Sequence, residues 1–217
     1  LQENGVLNII ASEVDGNKVV YCFQRMEKNP FDQYLGFEKI GKVNASTFFG
    51  FCDKHDTTLF QKIENNPVNI IKDEHKFLLC YRAAARSYHR KIEQVASFQN
   101  SKLYNHQNLK KDQQSGIVGS QAAVDELEEH KTFLNNILQS NNFNELRYLT
   151  HIIDYQIPIA CTSVMTPKVY LDNSIFNFSD DPKVKYEHVY LTVLPTKTNT
   201  QILYACIPSH TKSMKFI

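Results

Sequence analysis

The sequence predicts an α+β fold: an N-terminal hairpin with a zinc-knuckle-like turn, a long antiparallel helical hairpin, and a C-terminal, mainly antiparallel sheet. Three observations predict it. Residues 73–111 contain neither Pro nor Gly and repeat apolar side chains with a helical period. Residues 121–139 carry a second amphipathic stripe, close enough behind the first to fold back on it. β-branched and aromatic runs split by turn signals fill residues 5–51 and 150–217. The expected division is 1–72, 73–149 and 150–217, as parts of one compact domain.

Residues 5–24 read as a β-hairpin, with Val6-Leu7-Asn8-Ile9-Ile10 and Val19-Val20-Tyr21-Cys22-Phe23 as arms and Asp15-Gly16-Asn17 as the turn. Residues 25–36 are polar, include Asn29-Pro30, and read as a loop. Residues 37–51 alternate weakly and predict a further strand or two. A short helix is expected over 53–64, capped by Asp53 and stopped by Asn65-Asn66-Pro67. The long helix then carries Phe77, Tyr81, Ala84, Ala85, Tyr88, Ile92 and Val95 on one face, with fraying expected after Gln99. Ser115-Gly116-Ile117-Val118-Gly119-Ser120 reads as a break before the second helix, and 143–149 as a further turn or two. Short strands are expected at 151–155, 159–164, 168–171 and 174–178. The strongest strand pair is 189–194 with 202–207, joined by a polar linker. Tyr81, Tyr88, Tyr190 and Tyr204 fall at packing positions.

The chain has 217 residues, 42% hydrophobic and 12% aromatic, which is enough apolar material for a folded core. Lys+Arg 24 against Asp+Glu 23 leaves a net charge of +1, so any polyanion site must be a local patch. Seven Gly and no Gly-rich loop argue against phosphate cradling of a nucleotide. No apolar run reaches the roughly 18 residues of a membrane span, so no membrane partner is expected. Leu1 is not Met and no basic n-region follows it, so the expectation is ordinary folded sequence from a longer chain. Five dispersed cysteines (Cys22, Cys52, Cys80, Cys161 and Cys206) predict buried free thiols and a reducing cytoplasm.

The chemistry concentrates at Phe51-Cys52-Asp53-Lys54-His55-Asp56, where a thiol, an imidazole and two carboxylates fall within five positions. Cys52 and His55 have a C-x2-H spacing, which lets a strand-to-helix turn place both on one zinc ion, with Asp56 as a further candidate ligand. A closed site needs four ligands, and the other Cys and His residues nearest in sequence are Cys22, His75, Cys80 and His89. The plainer alternative is a buried Cys52, a capping Asp53 and a first-turn His55. No G-x-S-x-G is present, and Cys52 with a His three residues away is badly spaced for a protease nucleophile and base.

Ile40-Gly41-x-x-x-Ala45-Ser46-Thr47-Phe48-Phe49-Gly50-Phe51-Cys52-x-x-His55-Asp56-x-x-Leu59-Phe60-x-x-Ile63-Glu64 resembles a motif of uncharacterised bacterial proteins. More distantly it is similar to the second half of HNH (ββα-metal) nuclease modules. The resemblance covers about 25 of 217 residues. It implies that Cys52 and His55 hold structural zinc and that Asp56 takes the module's Asn position. The upstream Cys pair and catalytic His of that module are not in this chain, and the resemblance would place them before Leu1. It further implies a metal-supported protein that binds or processes nucleic acid, in bacterial defence against phage.

A second candidate is the polar stripe of the long helix, His75, Arg82, Arg86, His89 and Glu93, spaced seven, four, three and four apart. Arg82, Arg86 and His89 share a face on which two guanidinium groups can clamp a phosphate or carboxylate. Lys54, Arg90 and Lys91 lie nearby in sequence and would extend that face toward a nucleic-acid backbone. Ordinary ion pairs, with Glu64 free to meet an Arg, explain the stripe as well. Two other function classes follow: a non-catalytic interaction module with a structural Cys/His knuckle, and a ligand sensor using Arg82 and Arg86.

Overall fold

The structure is a computed structural model, and it describes all residues except 1–4, 30–31, 46–49, 65–67, 101–110, 171, 176, 178, 180–183 and 217. Phe48-Phe49 of the motif and the Asn65-Asn66-Pro67 stop lie outside the described residues, as does the capping side chain of Asp53. The α+β class stands: helices and two antiparallel sheets alternate along the chain.

At the N-terminus Val6–Ile10 is a short helix (α1) rather than a hairpin arm. Val6 and Leu7, adjacent in the chain, are both buried, which a strand with one covered face does not allow. The hairpin uses Ser12–Val14 (β1) and Asn17–Asn29 (β2). Its two-residue turn is Asp15-Gly16, both at positive φ (51° and 76°), as the right-handed twist of the flanking strands requires. Residues 25–29 and 32–36, expected in a loop, are strand instead. β2 continues to Asn29 and pairs with Asp32–Gly41 (β3) as a long ribbon, with Asn29 opposite Asp32. Backbone pairing sustains a two-stranded ribbon with polar side chains, so hydrophobic alternation was no guide to it. Val43, expected in a strand, falls in a single helical turn, Lys42–Ala45 (α2).

Asp53–Glu64 (α3) and Asp73–Asn100 (α4) form where their apolar period places them. The break at 115–120 is absent, because one helix, Lys111–Ser140 (α5), runs through both glycines. α4 and α5 are antiparallel: Tyr81 Oη donates to Asn135 Oδ1 at 2.7 Å, and the Lys131 ammonium sits 4.7 Å from the Tyr88 ring centre. After a 3-10 turn at Phe143–Glu145 come Arg147–Ile153 (β4), Cys161–Met165 (β5), Val189–Pro195 (β6) and Thr200–Cys206 (β7), then Thr211–Phe216 (α6). The sheet order is β4-β7-β6-β5, antiparallel throughout, with the predicted β6–β7 hairpin at its centre. Of the strands expected at 168–171 and 174–178, only the bridge Val169–Ile175 is present among the described residues.

The core lies between the helices and one face of this sheet. Phe60, Ile63, Phe77, Leu134 and Ile137 meet Tyr190, Leu194, Leu203 and Ala205. Cys80 and Cys206 are buried there, whereas Cys22 and Cys161 are half-buried and Cys52 is exposed, so the expectation of five buried thiols is corrected. No described cysteine is in a disulfide. Among the described residues no helix is long and apolar enough to cross a membrane.

Candidate functional site

Cys52 immediately precedes α3, and its carbonyl accepts the first helical hydrogen bond, from the Asp56 amide at 2.9 Å. That geometry turns the side chains three residues apart toward one another. Cys52 Sγ and His55 Nδ1 lie 3.1 Å apart and share a hydrogen bond. Both residues are exposed. The segment is fixed from below, where the Phe51 ring meets Phe60 at 5.4 Å and Tyr81 at 6.3 Å.

Asp56 does not join the pair. Its carboxylate lies 4.0 Å from the Arg82 guanidinium, which is also ion-paired with Glu64 and lies 4.1 Å over the Phe60 ring. Arg82 thus clasps α3 to α4 with two carboxylates and an aromatic face. The free Glu64 foreseen from the sequence is its partner.

The other residues expected on that stripe are dispersed. His75 is buried, not on a polar face, and its Nδ1 accepts the Asn69 amide at 3.1 Å. His89 stands 3.4 Å from Glu93. Arg86 is half-buried; loss of solvent and the charge of Arg90 lower its pKa, while the half-buried thiols of Cys22 on β2 and Cys161 on β5 act in the opposite sense. Cys80 is sealed in the core, where burial drives its pKa far up. Neither His75 nor Cys80 is therefore placed as a third ligand beside Cys52.

A cluster that the sequence reading missed is built around the middle of α5. His130 (from α5), His188 (just before β6) and His210 (after β7) have ring centres 4.8, 5.2 and 6.3 Å apart. His130 Nδ1 is 2.9 Å from Tyr190 Oη, and His188 lies between Thr166 Oγ1 (2.8 Å to Nδ1) and Glu126 Oε2 (3.2 Å to Nε2). The Tyr186 amide also donates to Glu126 at 3.1 Å. Burial and the neighbouring imidazoles push His130 down to about 3, and burial also lowers His210. Burial alone would raise Glu126, but the hydrogen bonds from His188 and Tyr186 hold it below its usual range. Glu126, His130 and His210 line a half-open cavity of about 490 Å³, with Phe133, Tyr186 and the Lys185–Glu129 ion pair among its other walls. The one signal in the sequence is that His130 falls on the apolar stripe of α5, between Leu127 and Leu134.

Among the described residues no group of three or more His, Cys, Asp or Glu side chains is placed to hold a metal ion. Comparison with protein-family models, with curated proteins and with solved structures finds no match.

Proposed function

We propose that the chain is a zinc-supported nucleic-acid-binding protein of HNH-like descent, in which Cys52 and His55 form half of a knuckle. The observation that carries this reading is the 3.1 Å between Cys52 Sγ and His55 Nδ1 at an exposed helix start. On a tetrahedral zinc, with Zn–S about 2.3 Å and Zn–N about 2.0 Å, the two atoms stand roughly 3.5 Å apart. A small side-chain rotation separates them by that much, and the exposed edge admits two ligands from another segment. The reading is binding rather than cleavage, because Asp56 is engaged by Arg82. Five thiols, none in a disulfide, suit a reducing cytoplasm.

Support for a nucleic-acid ligand comes from the ribbon. Tyr21, Phe23 and Phe37 are 56%, 75% and 63% exposed. Tyr21 and Phe37 stack at 5.4 Å and 9°, and Phe23 meets Phe37 at 4.9 Å. The register places Lys39 opposite Tyr21 and Phe37 opposite Phe23, on one face. Unpaired bases stack on such aromatics, each worth about 1–3 kcal/mol.

Two measurements test the proposal. Purified protein is expected to bind zinc at a thiolate-containing site that Cys52→Ala removes. A labelled single-stranded oligonucleotide is expected to bind, roughly tenfold or more weakly after Phe37→Ala. A second reading, a protein-interaction module on the same structural knuckle, is favoured by the ion pairs that occupy Arg82. It predicts zinc binding without any oligonucleotide binding. Absence of both overturns the proposal.

A further inference from the structure

We infer that the half-open cavity along α5 is a binding site for an aminated nucleobase, which cytosine matches best and adenine next. The site shares no residue with the Cys52–His55 knuckle or the aromatic ribbon, so it stands apart from the function proposed above.

Shape and charge set the size and character of the ligand. Glu126, Glu129, His130 and Phe133 recur at i, i+3, i+4 and i+7, so a single stripe of α5 faces the cavity. Residues 185–186, before β6, and 207–210, after β7, close it. Its volume of about 490 Å³ is that of a small-molecule pocket, and Phe133 and Pro208 give it flat apolar walls. Lys185 neutralises Glu129 at the rim, which leaves Glu126 as the net charge. That charge repels an anion, so the part of a ligand that enters is uncharged.

The hydrogen-bonding groups set its pattern. Burial holds the Tyr190 hydroxyl protonated, and its partner among the described residues is His130 Nδ1 at 2.9 Å. Tyr190 therefore donates to that nitrogen, and the neutral ring carries its own proton on Nε2. The His188 amide donates to His210 Nδ1 at 3.1 Å, which leaves the proton of that ring on Nε2 as well. No hydrogen bond among the described residues engages either Nε2. His130 is only 5% exposed, yet the sealed and unbonded side-chain atoms among the described residues are Thr162 Oγ1 and Ser213 Oγ. Its Nε2 therefore opens on the cavity that the ring lines. Glu126 is ionised and accepts from the Tyr186 amide and His188 Nε2, which fills about two of its four lone-pair sites. Glu126 and His130, at i and i+4, are neighbours on the helix face, and the His210 ring centre lies 5.2 Å from that of His130.

The cavity thus offers one anionic acceptor beside two N–H donors. Cytosine carries the complement along one edge, an amino donor followed by a ring-nitrogen and a carbonyl acceptor. Adenine supplies the amino donor and one ring-nitrogen acceptor. Uracil and hypoxanthine reverse the pattern, with a carbonyl where the amino group stood and an N–H where the acceptor stood. Proteins that take a single base into a pocket read it through this edge while aromatic and apolar side chains hold its faces.

Calorimetric titration of the full chain with cytidine, adenosine, uridine and inosine tests the site. Cytidine and adenosine are each expected to bind at one site, and uridine and inosine at least about tenfold more weakly. Glu126→Gln, which keeps the shape, and His210→Ala are each expected to weaken cytidine roughly tenfold. A single-stranded oligocytidylate that displaces cytidine assigns the site to a base within a strand, and one that does not assigns it to the free nucleoside. Three results overturn the site: neither cytidine nor adenosine binds the folded protein at millimolar concentration, uridine binds as well as cytidine, or both variants bind cytidine as the parent does. If Glu126→Gln does not fold, His210→Ala and the uridine comparison decide. Failure here leaves the zinc and oligonucleotide tests of the knuckle and ribbon untouched, because none of their residues is involved.

Discussion

Arg82 shows how one side chain can look like a ligand clamp in the sequence and act as a fastener in the fold. Its guanidinium covers the Phe60 ring and meets carboxylates from both ends of α3, Asp56 and Glu64. A cation over an aromatic face contributes about 0.5–1 kcal/mol, and ion pairs this open to water about as much together. Arg82→Ala is therefore expected to cost about 1–2 kcal/mol by denaturant unfolding while leaving oligonucleotide affinity and its salt dependence unchanged. The reverse result, unchanged stability with weaker binding, would return Arg82 to a phosphate-clamping role. Helical spacing correctly put Arg82, Arg86 and His89 on one side of α4. It could not say what would meet that side: α3 supplies the partners of Arg82, β2 and β5 lie near Arg86, and His89 pairs with Glu93 of its own helix. The Cys52–His55 contact was legible because a single turn of chain makes it. The histidine cluster was not, because three elements far apart in sequence each bring one ring, and only folding makes them neighbours.

At the scale of elements, α5 carries its own penalty. Gly116 and Gly119 lie inside the helix, and a Cβ built on either meets nothing within 4 Å. Each costs about 0.5–1 kcal/mol relative to Ala in a helix interior. Burial of Leu127, Leu134 and Ile137 further along holds the helix together against that loss. Gly116→Ala and Gly119→Ala are each expected to stabilise the protein by about 0.5–1 kcal/mol, read as a higher denaturation midpoint at unchanged slope. A loss of stability would mean that this segment is not helical in solution. The same two glycines made the sequence read as broken here, because local propensity carries no record of packing elsewhere in the chain. The polar ribbon of β2 and β3 was lost for the converse reason: main-chain pairing needs no apolar signature. The elements with a buried face and a strict period, α3, α4, β6 and β7, emerged close to where the pattern put them.

For the whole molecule, the histidine cluster makes folding sensitive to acid. His130 is neutral in the fold, with Tyr190 from β6, His188 from the loop before it, His210 from the turn after β7 and Glu126 on its own helix around it; Lys185 and Glu129 cancel at the rim. Its pKa is about 3 folded against 6.5 unfolded, so between those values the unfolded chain holds the extra proton. A depressed pKa means that stability is complete above about pH 6.5 and is lost as the pH falls toward 3. Between pH 7 and pH 5 the linkage amounts to roughly 2 kcal/mol for this one group. His75 and His210 are shifted the same way. Glu126, depressed by its hydrogen bonds, loses its contribution in acid too, so the four effects add. Urea unfolding of the chelator-treated protein should therefore show a fall in stability from pH 7 to pH 5. His130→Gln, which has no titrating ring and keeps an amide for Tyr190, should flatten that fall by up to about 2 kcal/mol while lowering stability at pH 7. An identical pH dependence in the variant would mean that His130 is solvated and titrates normally in the folded protein, and that the three rings do not share a buried site.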